Sequence, residues 1–220
     1  MGIGHVAVAL SLKPADRRVN AGLLIFAAFF ADFLLGWCVL AGWESYQVAA
    51  DYAHRHYLLF TFPWSHGLVP LLVWSAALAL LCRAFLRGSR AALLVAVAAA
   101  SHFVLDALVH VRGLPLAGPG SFALGLGLWR NLPLELGIEA AMTVAALALY
   151  LRATRDHSRG RRAAMVVYVV LLAFLMISGQ AAATDPPRRA ELLSSWIAAP
   201  VLLSAIAAWL DRRPRGHAII

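Results

Sequence analysis

The sequence predicts an all-α fold: a polytopic membrane helix bundle of six transmembrane helices plus a short N-terminal half-helix. Three observations lead there. Of the 220 residues, 62% are hydrophobic. Only 14% are charged, against about 25% in soluble domains. Uncharged stretches of near-spanning length recur, as at Ala91–Leu105 and Ala163–Ala183, and about 20 apolar residues cross a hydrocarbon core as a helix. The same composition excludes a soluble enzyme, a disordered chain and a disulfide-stapled secreted domain. Cys38 and Cys82 lie inside apolar stretches and read as small hydrophobes, not as a bridge or a metal motif.

The first element, Gly2–Leu12, is apolar but too short to span. No basic residue precedes it, and Lys13, Asp16, Arg17 and Arg18 follow where a signal peptide would carry its cleavage site. It reads as a re-entrant or interfacial half-helix. Six spans are expected at Ala21–Gly42, Leu68–Leu86, Ala91–Val111, Leu134–Leu151, Ala163–Ala183 and Leu192–Leu210. Pro63, Pro133, Pro186 and Pro187 lie just outside spans, as residues that cannot continue a helix should. Pro200 falls inside the last span and predicts a kink. There is no internal repeat, low-complexity tract or soluble domain. The chain therefore reads as a single integral membrane domain, 1–220. Within it, 1–18 is the re-entrant or interfacial segment, 19–155 bears the candidate site on spans one to four, and 163–210 holds spans five and six. The longest connections are Trp43–Gly67 and Arg112–Pro133.

The net charge of +8 is explained by its distribution. The N-terminal segment, the loops after spans two and four and the C-terminus hold Lys13, Arg17, Arg18, Arg83, Arg87, Arg90, Arg152, Arg155, Arg159, Arg161, Arg162, Arg212, Arg213 and Arg215. That is 14 of the 19 basic residues. Arg55, Arg112, Arg130, Arg188 and Arg189 fall on the other side. Positive-inside asymmetry then makes both termini of a multi-pass protein cytoplasmic. The basic excess meets anionic membrane lipid, not nucleic acid. Trp43, Trp64, Trp129 and Trp196 fall at the opposite boundary as an aromatic belt.

Ionisable groups at mid-membrane cost about 2.5–3.5 kcal/mol each on insertion scales and persist where something binds them. Span one carries Asp32 and the start of span two carries His66. Span three carries His102, Asp106 and His110 at four-residue spacing, which puts them on one helix face. Glu135 and Glu139 repeat the spacing in span four, and His5 lies in the N-terminal segment. At the helical rise Asp32 lies roughly 15 Å, His102 roughly 13 Å and Asp106 roughly 7 Å below the outer surface. His66, Asp32, the span-three stripe and Glu139 can thus meet in the outer half of the bilayer. Imidazole and carboxylate together suit a divalent metal: zinc foremost, or iron or manganese. His102 and His110 are about 12 Å apart along the axis, too far to share one ion without distortion. Either His102–Asp106 or Asp106–His110 chelates, two metals bind, or one histidine works as acid–base or holds substrate.

Plainer readings stand beside these. Asp32 also suits a hydrogen bond to a neighbouring helix, and Glu135 a helix-dipole partner. His54, His56, His157 and His217 read as solvated. Ser65 and Ser101 read as back-bonded to helix carbonyls. Gly125 and Gly127 form no phosphate loop, because the flanking strand is missing.

The ordered set Gly4-His5, Asp32, Trp64-Ser65-His66 and Ser101-His102-x-x-x-Asp106-x-x-x-His110 resembles the bacterial integral-membrane proteins classed as membrane-bound metal-dependent hydrolases, the YdjM-like class. Gly125-x-Gly127-Leu128-Trp129-Arg130-Asn131 and Glu139 are similar to a subgroup within or near it. The likeness covers roughly Gly4 to Arg155. Gly67 stands where the class usually has serine. The resemblance implies a membrane-embedded metal-dependent hydrolase of the bacterial inner membrane, and a site in the outer leaflet, opened by the loops Trp43–Gly67 and Arg112–Pro133, would suit a lipid or lipid-linked substrate. His66, His102 and Asp106 would be metal ligands, with Asp32 a fourth ligand or an orienter. His5 would point towards Asp32 and close the site from below as a metal ligand or a partner that orients one, unless its segment is only an interfacial anchor, and His110 or Glu139 would serve as general base. A transporter with a proton or metal-ion path is the second expectation. A structural protein whose polar groups only join helices is the third.

Overall fold

Glycine and alanine at Gly4, Ala7 and Ala9 let the first helix, α1 (Gly2–Ser11), pack closely on all sides. The computed structural model describes residues 2–86 and 88–212. Ile3, Val6, Ala9 and Leu10 of α1 are fully buried. The interfacial reading of this segment therefore does not hold: the half-helix lies inside the bundle.

The spans follow. The first is two helices, α2 (Ala21–Ala28) and α3 (Phe30–Leu40), bent by 47° at Phe29. The sequence reading has one helix over Ala21–Gly42. The break coincides with a side chain inserted at the helix backbone, since His102 Nδ1 donates to the carbonyl of Ala28 at 2.7 Å. Next come α5 (Leu68–Leu86), α6 (Ser89–Val109), α7 (Leu132–Ala153) and α8 (Arg159–Ala182). The last span, Arg189–Leu210, comprises α9 (Arg189–Leu193), one π-helical turn (Ser194–Ala198) and α10 (Ala199–Leu210). Pro200 lacks the N–H that would continue an α ladder, and the wider turn falls immediately before it. Five of these helices are long and apolar enough to cross a membrane, and six spans result if the bent α2–α3 pair counts as one. The chain is thus an all-α bundle with the dimensions of a membrane protein.

Helix α1 packs against α7, α2, α6 and α8 and is the hub of the bundle. Its exit is locked. Lys13, 1% exposed, pairs with Asp211 beyond α10 and donates to the carbonyl of Val19 at 2.7 Å. Asp211 also accepts the Ala21 N–H at 2.7 Å and the Tyr150 hydroxyl at 2.8 Å. His157 Nε2 lies 3.2 Å from the Asp211 carbonyl. Two expectations change here: Lys13 is not a surface charge, and His157 is buried instead of solvated. Four chain segments converge at this end, and their buried polar groups must satisfy one another. Arg87, Arg213, Arg215 and His217 lie outside the described residues.

Both long connections fold into hairpins. Strands β1 (Ser45–Val48) and β2 (Leu58–Thr61) pair antiparallel, Ser45 opposite Thr61, with the short helix α4 (Tyr52–Arg55) between them. Strands β3 (Leu114–Pro115) and β4 (Ala123–Leu124) pair likewise. The sequence reading has no strands, because segments of two to four residues carry no measurable period. The hairpins roof the end opposite Lys13. Trp43 and Trp64 remain exposed there, while Trp196 is buried and Trp129 packs against His110 with the ring planes 43° apart.

Candidate metal centre

Three helices and the turn before α5 each deliver one or more polar side chains to one point beneath the hairpins. Helix α6 supplies His102 and Asp106 from successive turns of its inner face. His102 Nε2 lies 3.3 Å from Asp106 Oδ2. The turn before α5 supplies His66, whose Nε2 lies 3.1 Å from His102 Nε2 and 3.6 Å from Asp106 Oδ2. All three residues are at most 3% exposed. Helix α3 supplies Asp32, with Oδ1 3.7 Å from His66 Nε2 and 4.0 Å from His102 Nε2. Asp32 is the most open of the four, its side chain 23% exposed.

The protons on both imidazoles are assigned by their neighbours. The Ala28 carbonyl can only accept, so His102 Nδ1 carries the hydrogen. Ser65 donates its one hydroxyl hydrogen to Glu44 Oε2 at 2.6 Å. Its oxygen then accepts from His66 Nδ1 at 2.8 Å. Glu44 is held in turn by the backbone N–H groups of Trp64 at 2.7 Å and Ser65 at 2.9 Å. When both rings are neutral, each turns the bare lone pair of Nε2 inward. Two lone pairs 3.1 Å apart, beside a carboxylate, repel unless a cation stands among them. A tetrahedral ion with bonds of about 2.0–2.1 Å has ligand–ligand edges of about 3.3–3.4 Å. The edges of the His66–His102–Asp106 triangle are 3.1, 3.3 and 3.6 Å. The donor set and its spacing fit a divalent ion, with Asp32 on the open side. A second, overlapping group, His5, Asp32 and His102, also brings its donor atoms within 4.8 Å of one another. His102 offers a single nitrogen, so both groups describe one centre.

His5 reaches that centre from α1. Its ring stacks on His102, centroids 4.0 Å apart and planes 7° apart, and its Nε2 lies 3.4 Å from Asp106 Oδ1. His110 stands just past the end of α6, where the chain leaves the helix, and its Nε2 lies 3.3 Å from Asp106 Oδ2. The axial separation of His102 and His110 is bridged by Asp106, which touches both. His110 packs on Trp129, centroids 4.0 Å apart. Its carbonyl accepts the Gly127 N–H at 2.8 Å. Gly125 (φ +149°) passes so close that a Cβ there would sit 2.6 Å from the same carbonyl oxygen. The Gly-x-Gly pair is thus a strap over His110.

Glu139 lies apart from the cavity. Its Oε1 accepts the Gly4 N–H of α1 at 3.4 Å, which sets a carboxylate at the positive end of that helix. Glu135, the expected dipole partner, is fully buried and bonded through neither oxygen among the described residues. Glu135 does lie in the first turn of α7, where the helix dipole favours a carboxylate, and the side chain of Asn131 caps the same helix, accepting the Leu134 N–H at 3.3 Å. Ser101 back-bonds to Ala98, whereas Ser65 precedes its helix and bonds Glu44. His54 is exposed; His56 is half-buried, with its Nδ1 bonded to nothing among the described residues. Sequence reasoning missed Glu44, because one carboxylate just past a span has no spacing signal. It missed Ser195 and Trp196 for the same reason.

His5, Asp32, His66, Asp106 and His110 line a cavity of about 240 Å³ walled by Phe60, Phe62, Trp129 and Trp196. A wider cavity of about 820 Å³ shares Gly2, Phe60, Trp129, Met176 and Ser195 with it. This second space runs between the end of α8 (Gly179, Gln180) and α9 (Arg188, Leu192). No protein-family model, curated protein or solved structure matches the chain.

Proposed function

We propose that the chain is a membrane-embedded metal-dependent hydrolase of the YdjM-like kind, holding zinc and acting on a lipid or lipid-linked substrate. In this reading it sits in the bacterial inner membrane with both termini cytoplasmic, and the hairpins face outward. The carrying observation is that His66 Nε2 and His102 Nε2 converge to 3.1 Å beside Asp106, while each Nδ1 is engaged away from the cavity, by Ser65 and by the Ala28 carbonyl. A cluster that only joined helices would place a proton donor against each acceptor.

His66, His102 and Asp106 would hold the ion and Asp32 would face its open side. A divalent ion there supplies the Lewis acidity that hydrolysis at neutral pH needs. His5 donates from Nε2 to Asp106 Oδ1 and fixes the carboxylate plane. His110 takes the proton of the attacking water at Nε2, and Asp106 Oδ2, 3.3 Å away, stabilises the imidazolium that results. The aromatic walls exclude bulk water. The wider cavity between α8 and α9 supports an amphiphilic substrate, because it admits a chain from the side of the bundle into the site.

Incubation of the zinc-loaded protein with a bacterial lipid extract tests this. Wild type should consume a lipid species that Asp106→Asn leaves intact. Extracts unchanged by both proteins, with the metal bound in wild type, would remove the hydrolase reading.

A further inference from the structure

A third cavity, of about 1460 Å³, lies at the opposite end of the bundle, far from the metal centre. Its inner walls are apolar: Leu23 of α2, Leu78 and Leu81 of α5, and Val95 of α6. Its mouth is cationic. Arg17 and Arg18 come from the turn before α2, and Arg90 from the first turn of α6. All three are exposed. None is within ion-pair distance of a carboxylate among the described residues. Asp16, the one acid at the rim, is turned to the backbone N–H of Arg18. Helix α6 also begins here on Gly88 with no side-chain cap, so its first amides add partial positive charge at the mouth.

An apolar trough with an unpaired cationic rim calls for an amphiphile with an anionic head. A free anion would leave the trough unfilled, and an uncharged lipid would leave three guanidinium groups unpaired at the apolar boundary. The lateral lip is itself apolar, with Phe85 82% and Leu81 56% exposed, so entry is from the hydrocarbon and not from water. Guanidinium pairs bind phosphate bidentately. We infer that this groove is a specific site for one anionic phospholipid of the leaflet at the basic end. The headgroup phosphate sits among Arg17, Arg18 and Arg90, and an acyl chain lies along Leu78, Leu81 and Val95. The site neither uses nor requires the metal centre.

The test is lipid titration of the purified full-length chain in mild detergent, read by native mass spectrometry, with phosphatidylglycerol against phosphatidylcholine. Wild type should retain one phosphatidylglycerol in preference to phosphatidylcholine. R17Q/R18Q/R90Q should weaken that retention by at least about tenfold, given the usual contribution of each cation near an anionic lipid. R152Q/R155Q/R159Q, which removes the same charge elsewhere at this end, should leave it unchanged. Leu81→Trp, which fills the trough without touching charge, should also release the lipid. Equal retention of the two lipids by wild type would overturn the inference. So would equal losses in the two triple variants, which would mark a diffuse charge effect. Displacement of the lipid by millimolar inorganic phosphate alone would reduce the groove to an anion site and equally overturn it.

Discussion

The metal centre depends on which nitrogen of each imidazole is bare, and residues outside the ligand set decide that. Glu44 is the clearest case. As a carboxylate it only accepts, so it takes the Ser65 hydrogen and forces His66 to present Nε2 inward. Glutamine at 44 would place an amide N–H against Ser65 and free the hydroxyl to donate to His66 Nδ1. The ring would then carry its hydrogen on Nε2, where the metal should bind. Glu44→Gln is therefore expected to lower metal affinity by about 10–100-fold, the usual loss for such supporting partners, with the fold intact. Chelator competition measures it, and an unchanged affinity would mean that Glu44 serves only the turn before α5. The ligand candidates themselves are legible in the sequence, because four-residue spacing puts His102, Asp106 and His110 on one face and charge is costly there. Glu44, Ser65 and the glycine strap are not, because their roles follow from contacts between residues 20 or so apart in the chain.

At the scale of the helices, close approach matters more than apolar composition. Gly22 of α2 lies against α10, and a Cβ there would be 2.2 Å from the Ser204 carbonyl oxygen and 2.6 Å from Ala208. Gly22→Ala must push the two helices apart and should cost about 1–3 kcal/mol. Gly137 of α7 faces open space, with nothing within 4 Å. Gly137→Ala should instead be neutral or stabilising, by up to about 1 kcal/mol from helix propensity. Thermal unfolding in detergent checks both, and a similar response at the two sites would contradict this packing. The existence of the spans was legible because runs of 18 or more apolar residues have few alternatives. The bend at Phe29 and the π turn before Pro200 were less so. One follows from a histidine on another helix, and the other from how the chain relaxes around a missing N–H. The burial of α1 was likewise hidden, since a mostly apolar segment of ten residues fits a core helix as well as a surface one.

At the scale of the molecule, the two ends differ in charge and in furniture. Basic loops and the Lys13–Asp211 lock occupy one end, and hairpins and the metal centre lie toward the other. With the basic end cytoplasmic, a cysteine at exposed Arg155 in a C38A/C82A background should resist an impermeant thiol reagent in intact cells. One at exposed Gln47 of β1 should react. The reverse pattern would invert the orientation while leaving the bundle unchanged. The inward lone pairs of His66 and His102 make their own demand on the whole protein. The most direct measurement is transition-metal content of the full-length protein, purified without chelator and re-equilibrated with zinc. The account predicts about one tightly held ion per chain, lost in Asp106→Asn and in the His66→Ala, His102→Ala double variant. A protein that holds no ion under these conditions, or holds it equally well in both variants, would mean that protons and not a metal reconcile the cluster.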